Sequence, residues 1–116
     1  MSRRIVHAAC ALLALGGGMA TAIAGPAGHA ASPAANQIEI RNFMFTPKTL
    51  TVPVGAKVTW INRDEEPHTV VSANGQFAPS RALDSNDRYE TRFSKPGTYT
   101  YYCTVHPFMT GTVVVK

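Results

Sequence analysis

Cysteine is scarce in this chain: 116 residues hold two, Cys10 and Cys103. Cys10 lies in an N-terminal stretch that reads as removable, so the remaining chain keeps a single thiol. An internal disulfide is thereby excluded, and with it the class of small domains stapled by cystines. Charge of one sign is also lacking. The formal net charge is +4, and it falls to +2 when Arg3 and Arg4 leave, with nine Lys and Arg set against seven Asp and Glu. The basic residues do not cluster, which argues against a nucleic-acid groove. Helical periodicity is missing beyond the N-terminal stretch, and so is any internal repeat, which excludes helical bundles and solenoids. Catalytic constellations are missing too. There is no nucleophile–base pair, no second metal cluster and no paired-carboxylate cleft, so the chain is not expected to be an enzyme. Asp64, Glu65 and Glu66 read as a solvated turn, and Asp84, Asp87 and Arg88 as surface.

The one long apolar run is at the start, "MSRRIVHAACALLALGGGMATAIAG". Two arginines precede a short Ala- and Leu-rich stretch that ends in small residues. This is the pattern of a secretory signal, expected over residues 1–30 with cleavage after Ala24 or Ala30. Glycines at 16, 17 and 18 interrupt the run and no stop-transfer charges follow, so a retained membrane span is not expected. The Ala- and Pro-rich residues 31–37 read as a flexible lead-in. The location implied is outside the cytoplasm, in the periplasm.

From Ile38 to the end, residues 38–116, the pattern is that of a single β domain. "QIEIRNFMF" alternates at Ile38 and Ile40 and then at Phe43 and Phe45. "TLTVPVGAKVTWIN" follows with Leu50, Val52, Val58 and Trp60, and "GTYTYYC" sets Tyr99, Tyr101 and Cys103 on one face. Period-two alternation of aromatic and β-branched residues marks half-buried strands. Pro47, Pro53-Val54-Gly55, Asn74-Gly75 and Pro96-Gly97 break them. Seven or so short strands in under ninety residues predict an all-β sandwich. A domain this small, without a disulfide, gains from a bound metal that favours the folded state.

The segment "YYCTVHPFM" supplies candidates for that metal. Cys103, His106 and Met109 stand three apart just after a strand, and Pro107 stiffens the turn between them. A fourth candidate is His68 in "EEPHTVV", the only other histidine in the β region. Two imidazoles, one thiolate and a weak axial thioether are the ligand set of a blue-copper electron-transfer centre. Thiolate and thioether favour Cu(I), imidazole tolerates both oxidation states, and a geometry held between the two preferences changes little when an electron arrives. Zinc rarely recruits a thioether, and its structural sites usually carry more than one cysteine. Met109 and Cys103 as plain core residues is the alternative to any metal, since both types are often buried for packing alone.

These residues resemble the cupredoxins, the type 1 blue copper proteins, and among them the short-loop amicyanin branch. The likeness runs through "VTWINRDEEPHTV" and "GTYTYYCTVHPFMTGTVVV", with "FTPKTLTVPVG" weaker between them. It implies an eight-stranded Greek-key sandwich with one copper ion held by His68, Cys103, His106 and Met109. It further implies electron shuttling by a monomer between redox proteins, for which an amine dehydrogenase, a c-type cytochrome or a nitrite reductase are the candidates. Docking is expected near His106 and Phe108, with Pro107, Pro67 and Met44 completing an apolar patch. The rival function is a periplasmic copper carrier or resistance protein with the same ligands. The residue content opposes it, because carriers are rich in exposed Met and His and this domain has few of either. Two departures from the branch are Thr69, where an asparagine is usual, and Val105, where a proline is. Thr69 is expected to keep the backbone bond to the Cys103 sulfur and to brace the loop through Thr104.

Overall fold

The computed structural model describes residues 35–116 together with Gly18. The expected signal segment and most of the lead-in lie outside the described residues. Eight strands follow one another: β1 Gln37–Arg41, β2 Met44–Thr46, β3 Thr49–Val52, β4 Ala56–Asn62, β5 Val71–Ser72, β6 Arg88–Phe93, β7 Gly97–Tyr102 and β8 Thr110–Val115. They form two four-stranded sheets, ordered β2-β1-β4-β6 and β3-β8-β7-β5. The all-β sandwich read from the alternation is therefore the fold. No helix among the described residues is long and apolar enough to cross a membrane.

Alternation becomes a core because each strand turns every second side chain inward. Ile38 and Ile40 of β1, Val58 and Trp60 of β4, Tyr101 of β7, and Val113 and Val115 of β8 are all buried. Trp60 sits at the centre, edge-on to Tyr101 at 5.3 Å and stacked on Phe77 at 6.0 Å. Tyr101 meets Phe45 edge-on at 4.7 Å, and its ring lies over Gly111 of β8, where a side chain would collide with it.

In one respect the chain departs from the alternation. "QIEIRNFMF" is not one strand. β1 turns back on β2 through the two-residue loop Asn42–Phe43, with Arg41 paired to Met44. β1 also runs parallel to β4, with Ile40 beside Asn62. The tip of this hairpin thus lies at the same end of the sandwich as the end of β4. The candidate site residues collect at that end.

Candidate metal centre

Two loops reach this end of the sandwich. One follows β7 and is closed at both ends of its turn by backbone bonds. Cys103 N–H donates to Met109 O at 3.1 Å, and Met109 N–H donates to His106 O at 2.8 Å. The other leads from β4 to His68. The His68 backbone is tied both ways to Leu83, donating at 3.1 Å and accepting at 2.8 Å. That pairing holds the imidazole, which is fully buried, against the sulfur of Cys103.

The structure brings three of the four candidate ligands together. His68 Nδ1 lies 3.8 Å from Cys103 Sγ, His106 Nδ1 lies 4.0 Å from it, and all three atoms are within 4.8 Å of one another. Metal–sulfur and metal–nitrogen bonds of about 2.3 and 2.0–2.1 Å at a trigonal angle put sulfur and nitrogen about 3.8 Å apart. The observed edges match that figure. Met109, the fourth candidate, is buried in the same loop. Cys103 and His68 are buried and His106 is half-buried.

The electrostatics suit a thiolate. Burial pushes the Cys103 thiol up. The Thr69 N–H, the His68 ring and both the backbone and ring of His106 beside the sulfur outweigh it, and the pKa falls from 9.0 to about 6. Thr69 N–H donates to Sγ at 3.4 Å. The Thr69 hydroxyl accepts Thr104 N–H at 2.9 Å and meets the Thr104 hydroxyl at 2.8 Å. The brace expected of Thr69 is thus present, made by hydroxyls.

Asp64 differs from its sequence reading. It was expected in a solvated turn, and Glu65 and Glu66 are indeed exposed. Asp64 instead turns inward, its side chain only 11% exposed, because the side-chain oxygen of buried Asn62 accepts its N–H at 2.9 Å. Its carboxylate accepts Asn42 N–H at 2.7 Å, Phe43 N–H at 2.9 Å and His68 Nε2–H at 2.9 Å. Burial alone would push this carboxyl up, but the bonds from Phe43, His68 and Asn42 bring it below its usual value of 3.8. A carboxylate on Nε2 fixes the tautomer of His68 and leaves the Nδ1 lone pair facing Cys103, which is how metal-binding histidines are commonly oriented. The only hint in the sequence was a short acidic side chain four residues before the histidine.

Phe43 also belongs to the site. Its ring stands edge-on to His68 at 5.3 Å and to His106 at 4.9 Å. Around it the surface is apolar. Phe108 is 75% exposed, and Met44 and Val105 are each 58% exposed. Phe43, Met44, Phe108 and Met109 line a groove of about 590 Å³ beside the loop.

Comparison with known proteins agrees with the geometry. The family described as a cupredoxin-like domain matches residues 10–115. Amicyanin-alpha of Methylorubrum extorquens is 37% identical over 84 residues, which are 69% of this chain and 71% of that protein. Amicyanin of Paracoccus denitrificans is 37% identical over 83 residues, 68% of this chain and 63% of that one. Among solved structures, a purple cupredoxin from Nitrosopumilus maritimus superposes with a TM-score of 0.65 at 39% identity, covering 69% of this chain and 98% of the other.

Proposed function

This chain belongs to the cupredoxin-like family, and from that premise we propose that it is an exported blue copper protein that carries single electrons between redox partners. One observation carries the proposal: a buried cysteine with its pKa lowered to about 6 faces two imidazole nitrogens at 3.8 and 4.0 Å. The fit to one type 1 copper is a fit of donor chemistry, since a soft thiolate and two neutral imidazoles on short edges are what such an ion takes. His68, Cys103 and His106 would hold it, and the thioether of Met109 would be a weak fourth donor. Bound copper supplies a one-electron couple. The protein's own part is to hold the donors still in both oxidation states. Thr69 N–H keeps the sulfur charged, Asp64 holds the ring of His68, and the two bonds across the 103–109 loop fix its shape. The function is electron carriage rather than catalysis.

Half-buried His106 is the proposed electron port. Exposed Phe108, Val105 and Met44 beside it form the proposed docking patch, since an exposed apolar cluster commonly marks a partner surface. Redox partners that must separate quickly use small interfaces of this kind. The N-terminal apolar segment supports export to the periplasm. The test is spectroscopic. Cu(II) added to the purified protein should give an intense visible thiolate-to-copper band and a narrow EPR hyperfine splitting, and Cys103→Ser should abolish the band. A colourless cupric form would refute the reading. Rapid surrender of copper to a chelator, without a reversible couple, would favour the carrier function instead.

A further inference from the structure

The β1–β2 hairpin turns on Asn42 and Phe43, whose φ angles are 52° and 58°. A two-residue hairpin with both φ values positive is best served by Asn followed by Gly. Asparagine tolerates this region, but a bulky ring-bearing residue there is a steric outlier. Strain of this kind persists only where surrounding structure enforces it, and it clusters at functional sites. Here the enforcing group is the Asp64 carboxylate, which accepts the N–H of both turn residues and also His68 Nε2–H. One carboxylate therefore sets the position of the turn relative to the buried histidine.

The strained turn delivers the Phe43 ring. It stands nearly perpendicular to both imidazoles, at 88° to His68 and 82° to His106. His106 needs such a contact more than His68 does. His68 is fully buried and held at Nε2 by Asp64, whereas His106 is half-buried on a surface loop. Two other rings stand beside His106: that of His68, itself a candidate ligand, at 5.2 Å, and that of Phe108, which at 6.0 Å and 75% exposed is a weak restraint. Among the described residues, Phe43 is the anchored ring against the loop histidine that is not itself a candidate ligand.

We propose that Phe43 is a positioning residue: its ring, latched by Asp64, keeps His106 turned toward Cys103 and screens the metal centre from small external ligands. The proposal rests on the copper reading for its ligand, but not for its mechanics. Glycine at position 43 separates the two roles, because it relieves the turn while deleting the ring. If Phe43 served the fold alone, Phe43→Gly would leave the site unchanged. A positioning role gives the opposite result. Phe43→Gly should fold, yet its cupric spectrum should shift on adding azide where the wild-type spectrum does not. Its copper should pass to a chelator about tenfold faster or more, the scale expected when a ligand loses its orienting partner. Phe43→Tyr should restore both properties. In metal-free protein, the ring resonances of His106 should broaden in Phe43→Gly while those of His68 stay sharp. Phe43→Asn, which also tolerates positive φ, repeats every measurement should the glycine variant not fold. A ring-less variant with wild-type azide insensitivity, chelator rate and His106 line widths would overturn the proposal. Absence of the thiolate–copper band in wild type would sink the copper reading instead, and the metal-free NMR comparison would still decide the role of Phe43.

Discussion

Replacing Asp64 by alanine removes the acceptor from three donors at once, and the structure shows what each loss costs. Asn42 is exposed, so its N–H finds water and contributes little. The Phe43 N–H is half-buried and recovers only part of its bond, a loss of about 1 kcal/mol. His68 is 0% exposed, so its Nε2–H is stranded, and an unmet buried donor costs about 2 kcal/mol. Asp64→Ala should therefore destabilise the metal-free protein by about 3 kcal/mol. Asp64→Asn keeps one carbonyl oxygen but loses the charge, and about half that cost is expected. The assay is urea unfolding at neutral pH, where a domain of this size should behave as two-state and the midpoint shift reads the difference. Copper should raise the penalty, because the freed ring can place its proton on Nδ1, and the affinity should fall about 10–100-fold. The pH dependence has a definite sign. The carboxyl of Asp64 is held below its usual 3.8, so its contribution is complete above that value and is lost as pH falls through the lowered one. The gap between wild type and Asp64→Ala should hold at neutral pH and close only in stronger acid. A difference within about 0.5 kcal/mol at neutral pH, as for an ordinary surface change, would refute the reasoning and return Asp64 to the solvated turn.

Three other measurements bear on the same features. In metal-free protein the ultraviolet absorbance of the Cys103 thiolate should titrate with a midpoint of about 6 rather than 9.0, with Cys103→Ser as the blank. Because the folded value is lowered, the thiolate's contribution to stability is full above about pH 9 and is lost as pH falls through about 6, so acidification in that window should lower the unfolding midpoint. Gly111→Ala would drive a methyl group into the hydroxyl end of Tyr101 and to 2.8 Å from its Cε2, while Phe45 and Trp60 pin the ring from other sides. A loss of about 1–3 kcal/mol is expected by thermal unfolding, and an unchanged Tm would show that the ring can yield. Phe108→Ala, at a position 75% exposed, should change stability by less than about 0.5 kcal/mol. It should slow electron transfer to a protein partner while leaving reduction by a small reagent unchanged, and equal slowing of both would count against the docking patch.

Local features were legible in the chain. Cys103, His106 and Met109 sit in one loop, and a seven-residue span cannot carry them far apart. The stiff turn at Pro107 and the strand ending at Tyr102 made their convergence a short-range matter. His68 was identified by elimination, as the only other histidine in the β region. The inward faces of β4 and β7 follow from the pleat, so Trp60 and Tyr101 appeared as core before any partner was known. Thr69 could be assigned its bond to sulfur because a backbone N–H is present whatever the side chain.

What escaped the sequence was long-range. "NFMF" holds no glycine or proline to signal a reversal, and its one mark is the change of phase from Ile38 and Ile40 to Phe43 and Phe45. The hairpin at Asn42–Phe43 exists because Asp64, 21 and 22 residues away, supplies acceptors for both turn amides. Asp64 itself looks no different from Glu65 and Glu66 in the chain. Only the parallel pairing of β1 with β4 brings it beneath the hairpin, and only buried Asn62 turns it inward. Periodicity and spacing determined which side chains face inward and which candidate donors share a loop, since both are set by a few neighbouring backbone angles. Which carboxylate meets which amide was decided by strand pairings across the sheet, and those depend on the whole chain closing on itself.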